Sequence, residues 1–300
     1  MQPKRSPLAT APWLLLLLCV FWALWPSLTT MADRWARDPR YAHGYLVPLF
    51  SLGLLWSRRS EFADDSLRPS AWGMVPIALG AGLQLVGGFL LVNSVEGGAL
   101  ILYLTGVVLL LAGGKALRRA WPAIAFLAFM IPLPWTIENA MGGPLQAVAT
   151  RSSTFALQTL GFPAFAEGNV IQLERGRIGV VEACSGLSML ITFVALSTAA
   201  AMVVRRPMLD RVILVASSIP VALAANIARI TLTGVLHETV GEEAAGHFYH
   251  DLAGWLMIPF ALALYWLELK LLARILIEVD EAPLLVGLMP ASPAPAPAEA

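Results

Sequence analysis

The chain has 300 residues, of which 58% are hydrophobic and 13% are charged. Soluble domains carry about 25% charged residues, so this composition and a mean hydropathy of +0.71 exclude an ordinary soluble fold. Because 20 Lys/Arg balance 20 Asp/Glu, we expect no basic surface for nucleic acid. The two cysteines, Cys19 and Cys184, are too few for a disulfide framework or a cysteine-rich zinc site. The sequence therefore predicts a polytopic membrane protein.

Long apolar runs separated by charged clusters predict the membrane spans, since a spanning helix needs about 20 mostly apolar residues. The pattern predicts an all-α protein with about eight transmembrane helices, at residues 11–30, 44–57, 71–93, 99–114, 120–136, 184–204, 212–233 and 252–269. The first is interpreted as a retained span, because its apolar part is long and no clear small-residue cleavage site follows. Residues 1–289 are expected to form a single domain, and the Pro/Ala-rich segment 290–300 is expected to be a disordered cytoplasmic tail.

The basic residues indicate the orientation of these spans. Thirteen of the 20 Lys/Arg fall at the amino terminus and in alternate loops, which the positive-inside rule assigns to the cytoplasm together with both termini. The first outer loop is the exception, since it contains Arg34, Arg37 and Arg40. Asp33 and Asp38 lie among these arginines, but acidic residues count little in the rule.

One sizeable segment outside the cytoplasm is predicted between Trp135 and Cys184, where the chain is too polar to span. Residues 140–160 resemble an interfacial or cavity-lining helix. From Val170 to Glu174 polar and apolar residues alternate, and a second apolar stretch follows Arg175-Gly176-Arg177. This pattern predicts a short β-hairpin over the membrane surface, between the fifth and sixth spans.

Three reactive residues reach the same outer face in this topology: Cys184, Arg229 and His250. Cys184 begins the sixth predicted span, where a helix amino terminus favours a thiolate. The alternative is a small apolar packing residue, which is our interpretation of Cys19. Arg229 is a functional candidate because an unpaired guanidinium within a span is costly, and its alternative is an interfacial anchor.

All four histidines, His43, His237, His247 and His250, are predicted at the outer face. His250 is the preferred base, although His247 lies about one helical turn away and could replace it. Three of them, with Asp251, also suit Zn²⁺. We predict no metal or cofactor, because no His-Glu-x-x-His spacing occurs and a metal site would leave Cys184 without a role.

One recognisable mechanism uses a cysteine, an arginine and a histidine together, as Cys184, Arg229 and His250 would. A thiolate attacks a peptide carbonyl, a histidine transfers the proton to the leaving amine, and an arginine donates hydrogen bonds to the oxyanion or to the substrate backbone. The order Cys184, Arg229, His250 on successive predicted helices is compatible with that division of roles.

The sequence also resembles the exosortase family through six short segments in the same order along the chain. Each segment is weak alone, but six in register are specific. Ser188 stands where many members carry Arg, which puts the preferred recognition motif in doubt. The segments are His43-Gly44-Tyr45-Leu46-Val47-Pro48 with Arg58-Arg59 after it, Pro132-Leu133-Pro134-Trp135, Gly168-Asn169, Glu182-Ala183-Cys184-Ser185-Gly186-Leu187, Asn226-Ile227-Ala228-Arg229-Ile230, and His250 with Gly254-Trp255.

The resemblance implies a multi-pass enzyme of the bacterial inner membrane with Cys184, Arg229 and His250 as its catalytic triad. Such a cysteine peptidase or transpeptidase would cleave the carboxy-terminal PEP-CTERM sorting signal of exported proteins through a Cys thioester. It would transfer the product to water, an exopolysaccharide or a lipid, on the periplasmic side. The remaining expected partners are membrane lipids.

Six further residues are expected to bind substrate or to support the triad: His43, Tyr45, Glu182, Ser185, Asn226 and His247. For Tyr45 the alternative is an aromatic interface anchor, for Asn226 a bond between helices, and for Glu182 a solvated helix-start acid. A rival function is a transporter or flippase for an anionic lipid-linked glycan, with Arg229 and the outer histidines as ligands. Interruption of spans at Pro220 and Pro259 would favour that rival.

Overall fold

The computed structural model describes residues 7–63, 68–180, 186–204, 206–241 and 253–275. These residues form helices and one small sheet. The helices are α1 (Pro7–Arg37), α2 (Leu46–Ser57), α3 (Arg59–Ala63), α4 (Met74–Leu90), α5 (Asn93–Leu111), α6 (Gly114–Phe126), α7 (Trp135–Thr159), α8 (Leu187–Val203), α9 (Met208–Thr239) and α10 (Ala253–Ile275). Short 3₁₀ turns occupy Pro39–Tyr45, Ala71–Gly73 and Leu127–Met130, and the strands are β1 (Ala164–Glu167), β2 (Val170–Leu173) and β3 (Gly176–Gly179).

Several of the helices are long and apolar enough to cross a bilayer, as expected for an all-α, multi-pass membrane protein. Within the described part these are Leu15–Arg37, Ala71–Leu90, Asn93–Leu111 and Met208–Thr239. Their large apolar side chains face outward at many positions, Phe89 and Leu85 among them, which suits contact with lipid rather than water. By contrast, α2 has 12 residues and reaches about 18 Å, short of a hydrocarbon core of about 30 Å. The count of eight spans stays a prediction.

A break separates α6 from α7 where the sequence analysis expected one span over 120–136. Together the two helices are long and apolar enough to cross a bilayer, but they meet at 74°. The sequence explains the break, because Pro132 and Pro134 cannot supply the backbone N–H groups that a continuous helix needs. A single proline need not have this effect, since α9 and α10 continue through Pro220 and Pro259.

The main apolar core lies between α1, the 39–45 turn and α5. It buries Met31 and Trp35 of α1 against Tyr103 of α5 and against Phe126 and Met130 near the break. Gly44 is required there because a β-carbon at this position would lie 2.5 Å from Nε1 of Trp35. The turn that carries His43 is therefore pressed against α1 and the broken helix pair.

The three strands form one antiparallel sheet in the order β1-β2-β3, whereas the sequence analysis expected two strands. Ile171 pairs with both Ala166 and Ile178 across the sheet. The inward side chains of the sheet pack with Ala149 and Leu157 of α7 and Ile230 of α9 in a second apolar cluster. The sheet is thereby fixed to the carboxy-terminal halves of α7 and α9, immediately before the segment that contains Cys184.

Candidate active site

Residues 181–185, which contain Glu182, Cys184 and Ser185, lie outside the described residues, but both flanks of this segment are fixed. On the upstream side, the N–H of Val180 donates to the carbonyl of Asn169 at 2.8 Å. The carbonyl of Val180 accepts a hydrogen bond from the side-chain amide of Gln146 on α7. The Gly168-Asn169 pair therefore lies in the turn that holds the upstream flank.

On the downstream side, Gly186 is the residue before α8 and lies against Asn226 of α9. A β-carbon at Gly186 would be 3.3 Å from Nδ2 of Asn226. Gly186 also has a φ of 86°, in the left-handed region that favours glycine. Cys184 is two residues away along the chain, so covalent geometry keeps the two α-carbons within about 7 Å of each other.

Asn226 also contacts Arg229, the second residue of the predicted triad. The Nη2 group of Arg229 donates to Oδ1 of Asn226 at 2.8 Å, and Asn226 is fully buried. This bond lies within α9, and both functions considered for Asn226 stay predictions. Asn226 contacts both Arg229 and the glycine that follows the Cys184 segment.

The guanidinium of Arg229 retains donor capacity. Its Nε atom is buried and makes no hydrogen bond within the described part of the chain. Leaving a buried donor unpaired costs about 1–3 kcal/mol, and more for a charged group. Such a donor can bind a negatively charged oxygen that arrives with a substrate.

One face of α7 contacts both flanks of the Cys184 segment. Glu138, Gly142 and Gln146 are spaced four residues apart and so share a face of the helix. Gly142 faces Leu187, the first residue of α8, and a β-carbon at position 142 would lie 4.0 Å from Cδ2 of Leu187. Since α7 rises about 1.5 Å per residue, Glu138 lies about 12 Å along the helix from Gln146 and the Cys184 flank.

Glu138 is the buried centre of a charge network that the sequence analysis missed. Its carboxylate accepts hydrogen bonds from Arg34 at 3.4 Å, from Arg40 at 3.3 Å and from the hydroxyl of Tyr41. Asp38 completes the network through Arg40, at 2.8 Å, and Arg34, at 3.3 Å. The arginines that violated the positive-inside pattern are thus paired with carboxylates.

The network also shifts the titration of its members. Burial acts to raise the pKa of the Asp38 carboxyl, but hydrogen bonds from Arg40 and the charges of Arg40 and Arg34 outweigh it and hold the pKa below its usual value. Burial, together with the hydrogen bond to Glu138, raises the pKa of the Tyr41 phenol. Both groups therefore keep their ordinary charge states at neutral pH.

His43, which is expected to bind substrate or to support the triad, bridges two elements in the structure. Its Nε2 lies 3.1 Å from the carbonyl of Phe129, and its Nδ1 lies 3.3 Å from the hydroxyl of Thr192 on α8. These partners suit a neutral ring that donates to the carbonyl and accepts from the hydroxyl. Burial holds the pKa of His43 below its usual value, although hydrogen bonds to backbone carbonyls act in the opposite direction.

Tyr45 is half-exposed, and its contacts are with residues of α1. Its hydroxyl donates to the carbonyl of Ala32 at 3.3 Å, and its ring meets Trp35 edge-on at 5.2 Å between centroids. These contacts suit an aromatic anchor at the interface, and a role of Tyr45 in substrate binding stays a prediction.

Four members of the charge network, Arg34, Asp38, Arg40 and Glu138, line an open cavity of about 840 Å³. We call it the span-end cavity, because the end of α1, the junction of α4 with α5 and the start of α7 form its wall. Leu91, Val92 and Trp135 supply apolar surface, and Arg34 and Arg37 supply charge. Nothing in the sequence spacing indicated that these elements meet.

The remaining histidines divide between described and undescribed parts of the chain. His237 of α9 is buried against Gly176, and its Nδ1 has no hydrogen-bond partner among the described residues. His247, His250 and Asp251 lie outside the described residues. Within the described ranges no group of three or more His, Cys, Asp or Glu side chains could hold a metal ion.

Comparison with protein families matches residues 35–267 to the family described as transmembrane exosortase. No curated protein and no solved structure matches the chain. The match covers more than half of the chain and includes all six segments on which the resemblance was based.

Proposed function

The chain belongs to the transmembrane exosortase family, and from this premise we propose that it is a membrane cysteine peptidase or transpeptidase. Its substrates are proposed to be exported proteins with a carboxy-terminal PEP-CTERM sorting signal. The observation that carries the proposal is the shared contact of Asn226 with Gly186 and Arg229. It brings the downstream flank of the Cys184 segment to within one side chain of the proposed oxyanion-binding residue.

The proposed reaction assigns one role to each member of the triad. The Cys184 thiolate attacks the carbonyl carbon of the scissile peptide, and the carbonyl oxygen becomes an oxyanion bound by Arg229. Collapse of this intermediate breaks the C–N bond as His250 donates a proton to the leaving amine, which leaves a thioester on Cys184. An acceptor then attacks the thioester, loses its proton to His250 and releases the thiolate.

The Nε donor of Arg229 supports this assignment. Among the described residues this buried nitrogen has no hydrogen-bond partner, and a substrate oxyanion would supply one. Because that bond strengthens as negative charge develops on the oxygen, it would stabilise the transition state more than the bound substrate.

The proposed setting is the inner membrane, with both termini in the cytoplasm and the triad on the periplasmic side. The acceptor is proposed to be water, a lipid or an exopolysaccharide. Glu182, Ser185 and His247, outside the described residues, remain candidates for supporting roles.

The rival, a transporter or flippase, uses broken helices whose free backbone groups bind the cargo. The α6–α7 break is the place where such groups would occur. However, Trp35 donates to the carbonyl of Met130 at 2.9 Å, Tyr41 accepts from the N–H of Leu133 at 3.0 Å, and His43 binds the carbonyl of Phe129. These backbone groups already form hydrogen bonds with side chains of the protein. This supports a structural role for the break more than a role in binding cargo.

The test is co-expression with a tagged PEP-CTERM substrate, followed by immunoblotting for substrate size and membrane retention. Wild type and Cys19→Ala, the matched control at an exposed cysteine, are expected to process the substrate. Cys184→Ala and Arg229→Gln are expected to leave it at full length. Equal processing by Cys184→Ala would refute the cysteine mechanism.

A further inference from the structure

The span-end cavity lies where three candidate membrane spans end. The end of Leu15–Arg37 lines it, and so does the junction between Ala71–Leu90 and Asn93–Leu111. Spans of this kind cross the hydrocarbon core, so their ends lie at the level of the lipid headgroups. The cavity therefore opens at headgroup depth.

Charges of both signs are accessible at the rim of the cavity. Asp33 and Arg37 form a loose ion pair at 3.7 Å, and their side chains are 70% and 81% exposed. An exposed pair of this kind is worth little, so a ligand can separate it at low cost. Arg34, 44% exposed, adds a second accessible guanidinium beside them.

The lining as a whole does not select a simple anion. Its three guanidiniums, on Arg34, Arg37 and Arg40, are matched by the carboxylates of Asp33, Asp38 and Glu138. A ligand with one charge of each sign matches this arrangement better than one with a single negative charge, because neither set of charged groups is left unpaired.

The wall of the cavity also accommodates apolar material. Leu91 and Trp135 are 86% and 74% exposed and stand beside Pro132 and Pro134. Tryptophan at the end of a span is typical of the membrane interface. The volume, about 840 Å³, lies within the range of about 300–1,000 Å³ usual for sites that hold small molecules.

We propose that the span-end cavity binds the headgroup of an ethanolamine phospholipid. The phosphate contacts Arg37 and Arg34, the primary ammonium contacts Asp33, and the glycerol end of the acyl chains lies on Leu91 and Trp135. Phosphate is a preferred partner of guanidinium groups. A primary ammonium has three N–H donors for the carboxylate, whereas a choline headgroup has none. This site is separate from the proposed peptidase function.

The test uses the full-length enzyme, delipidated in mild detergent, and measures its thermal midpoint after addition of phosphatidylethanolamine, phosphatidylcholine or phosphatidylglycerol with identical acyl chains. Wild type is expected to be stabilised most by phosphatidylethanolamine. Asp33→Asn is expected to remove the preference for ethanolamine over choline, and Arg37→Gln to weaken the response to all three lipids. A double variant far from the cavity, Arg59→Gln with Glu61→Gln, is the control and is expected to keep the wild-type pattern.

Three results would overturn the proposal. One is an equal response of the wild-type enzyme to all three lipids. Another is an ethanolamine preference that survives in Asp33→Asn. The third is a change in processing of a PEP-CTERM substrate by the rim variants without a change in the lipid response, which would make the cavity a peptide-docking surface instead. Because the lipid response does not depend on Cys184, it is read independently of the peptidase proposal.

Discussion

His43 shows how the role of a single side chain depends on partners far away in the sequence. From its place before a predicted span it was expected to support the catalytic cavity. In the structure its two ring nitrogens meet Phe129, 86 residues away, and Thr192, 149 residues away. Local spacing gives no information about either partner, so sequence analysis found a functional-looking histidine but not what it binds.

The lowered pKa of His43 predicts a pH-dependent contribution to stability. An unfolded histidine titrates near pH 6.5, and the folded group titrates below that value. The unfolded state therefore binds more protons as pH falls below about 6.5, and stability decreases over that window. Above the pKa of the unfolded histidine, His43 is neutral in both states and this loss of stability does not occur.

His43→Gln, which keeps a hydrogen-bonding side chain but does not titrate, is expected to flatten this dependence. The measurement is the thermal midpoint of wild type and variant in one detergent from pH 8 to pH 5. Parallel curves for the two proteins would show that His43 does not titrate as its burial predicts.

At the scale of elements, the α6–α7 break is held by side chains from α1 and the 39–45 turn. Trp35, Tyr41 and His43 supply hydrogen bonds to the backbone of residues 129–133, which the helix ladder does not satisfy. The Pro132-Leu133-Pro134 sequence made an irregularity foreseeable. The 74° bend was not foreseeable, because the elements that fix it are about 90 residues upstream.

Tyr41→Phe tests the importance of these bonds. It removes the hydroxyl that donates to Glu138 and accepts from the N–H of Leu133. Leaving such buried groups unpaired is expected to lower the free energy of unfolding by about 1–3 kcal/mol. Tyr45→Phe is the matched control, because its hydroxyl makes one long, exposed bond. Denaturant unfolding in detergent should separate the two variants, and equal midpoints would contradict the account.

The sheet is attached to α9 by a second set of bonds. Glu238 accepts from the backbone N–H of Arg175 at 3.0 Å, and its carbonyl accepts from the Arg175 side chain at 2.9 Å. Glu238→Ala is expected to loosen the β2–β3 turn and accelerate proteolysis within residues 160–180, whereas Glu238→Gln keeps an acceptor oxygen and should resist. Glu167→Ala, at an exposed strand end, is the control. Equal cleavage of Glu238→Ala and Glu167→Ala would show that this attachment is unimportant.

At the scale of the whole molecule, composition and apolar runs were sufficient to predict an all-α membrane protein, and the family match confirms the resemblance to exosortases. Spans such as α4 and α5 were foreseeable because a continuous apolar sequence of that length is typical of a transmembrane helix. The charge network around Glu138 was not, since it joins residues about 100 positions apart. The proposed triad was assembled from sequence motifs, and two of its three members lie outside the described residues.

The predicted orientation places residue 167 on the periplasmic side and residue 60 on the cytoplasmic side, so a membrane-impermeant thiol reagent can distinguish the two positions. In a variant with both native cysteines replaced by alanine, Glu167→Cys is expected to be labelled from the periplasm and Ser60→Cys to be protected. Both positions are exposed, so burial does not explain a difference. Permeabilised cells should label both. Protection of residue 167 with labelling of residue 60 would invert the topology.

The most direct measurement of the central claim is detection of the covalent intermediate on Cys184. Purified enzyme is incubated with a tagged PEP-CTERM substrate, quenched with acid and examined by intact mass. The account predicts an adduct of enzyme and the amino-terminal substrate fragment that hydroxylamine releases, present in wild type and Cys19→Ala and absent from Cys184→Ala. An adduct of the same mass on Cys184→Ala would place the nucleophile elsewhere and contradict the account.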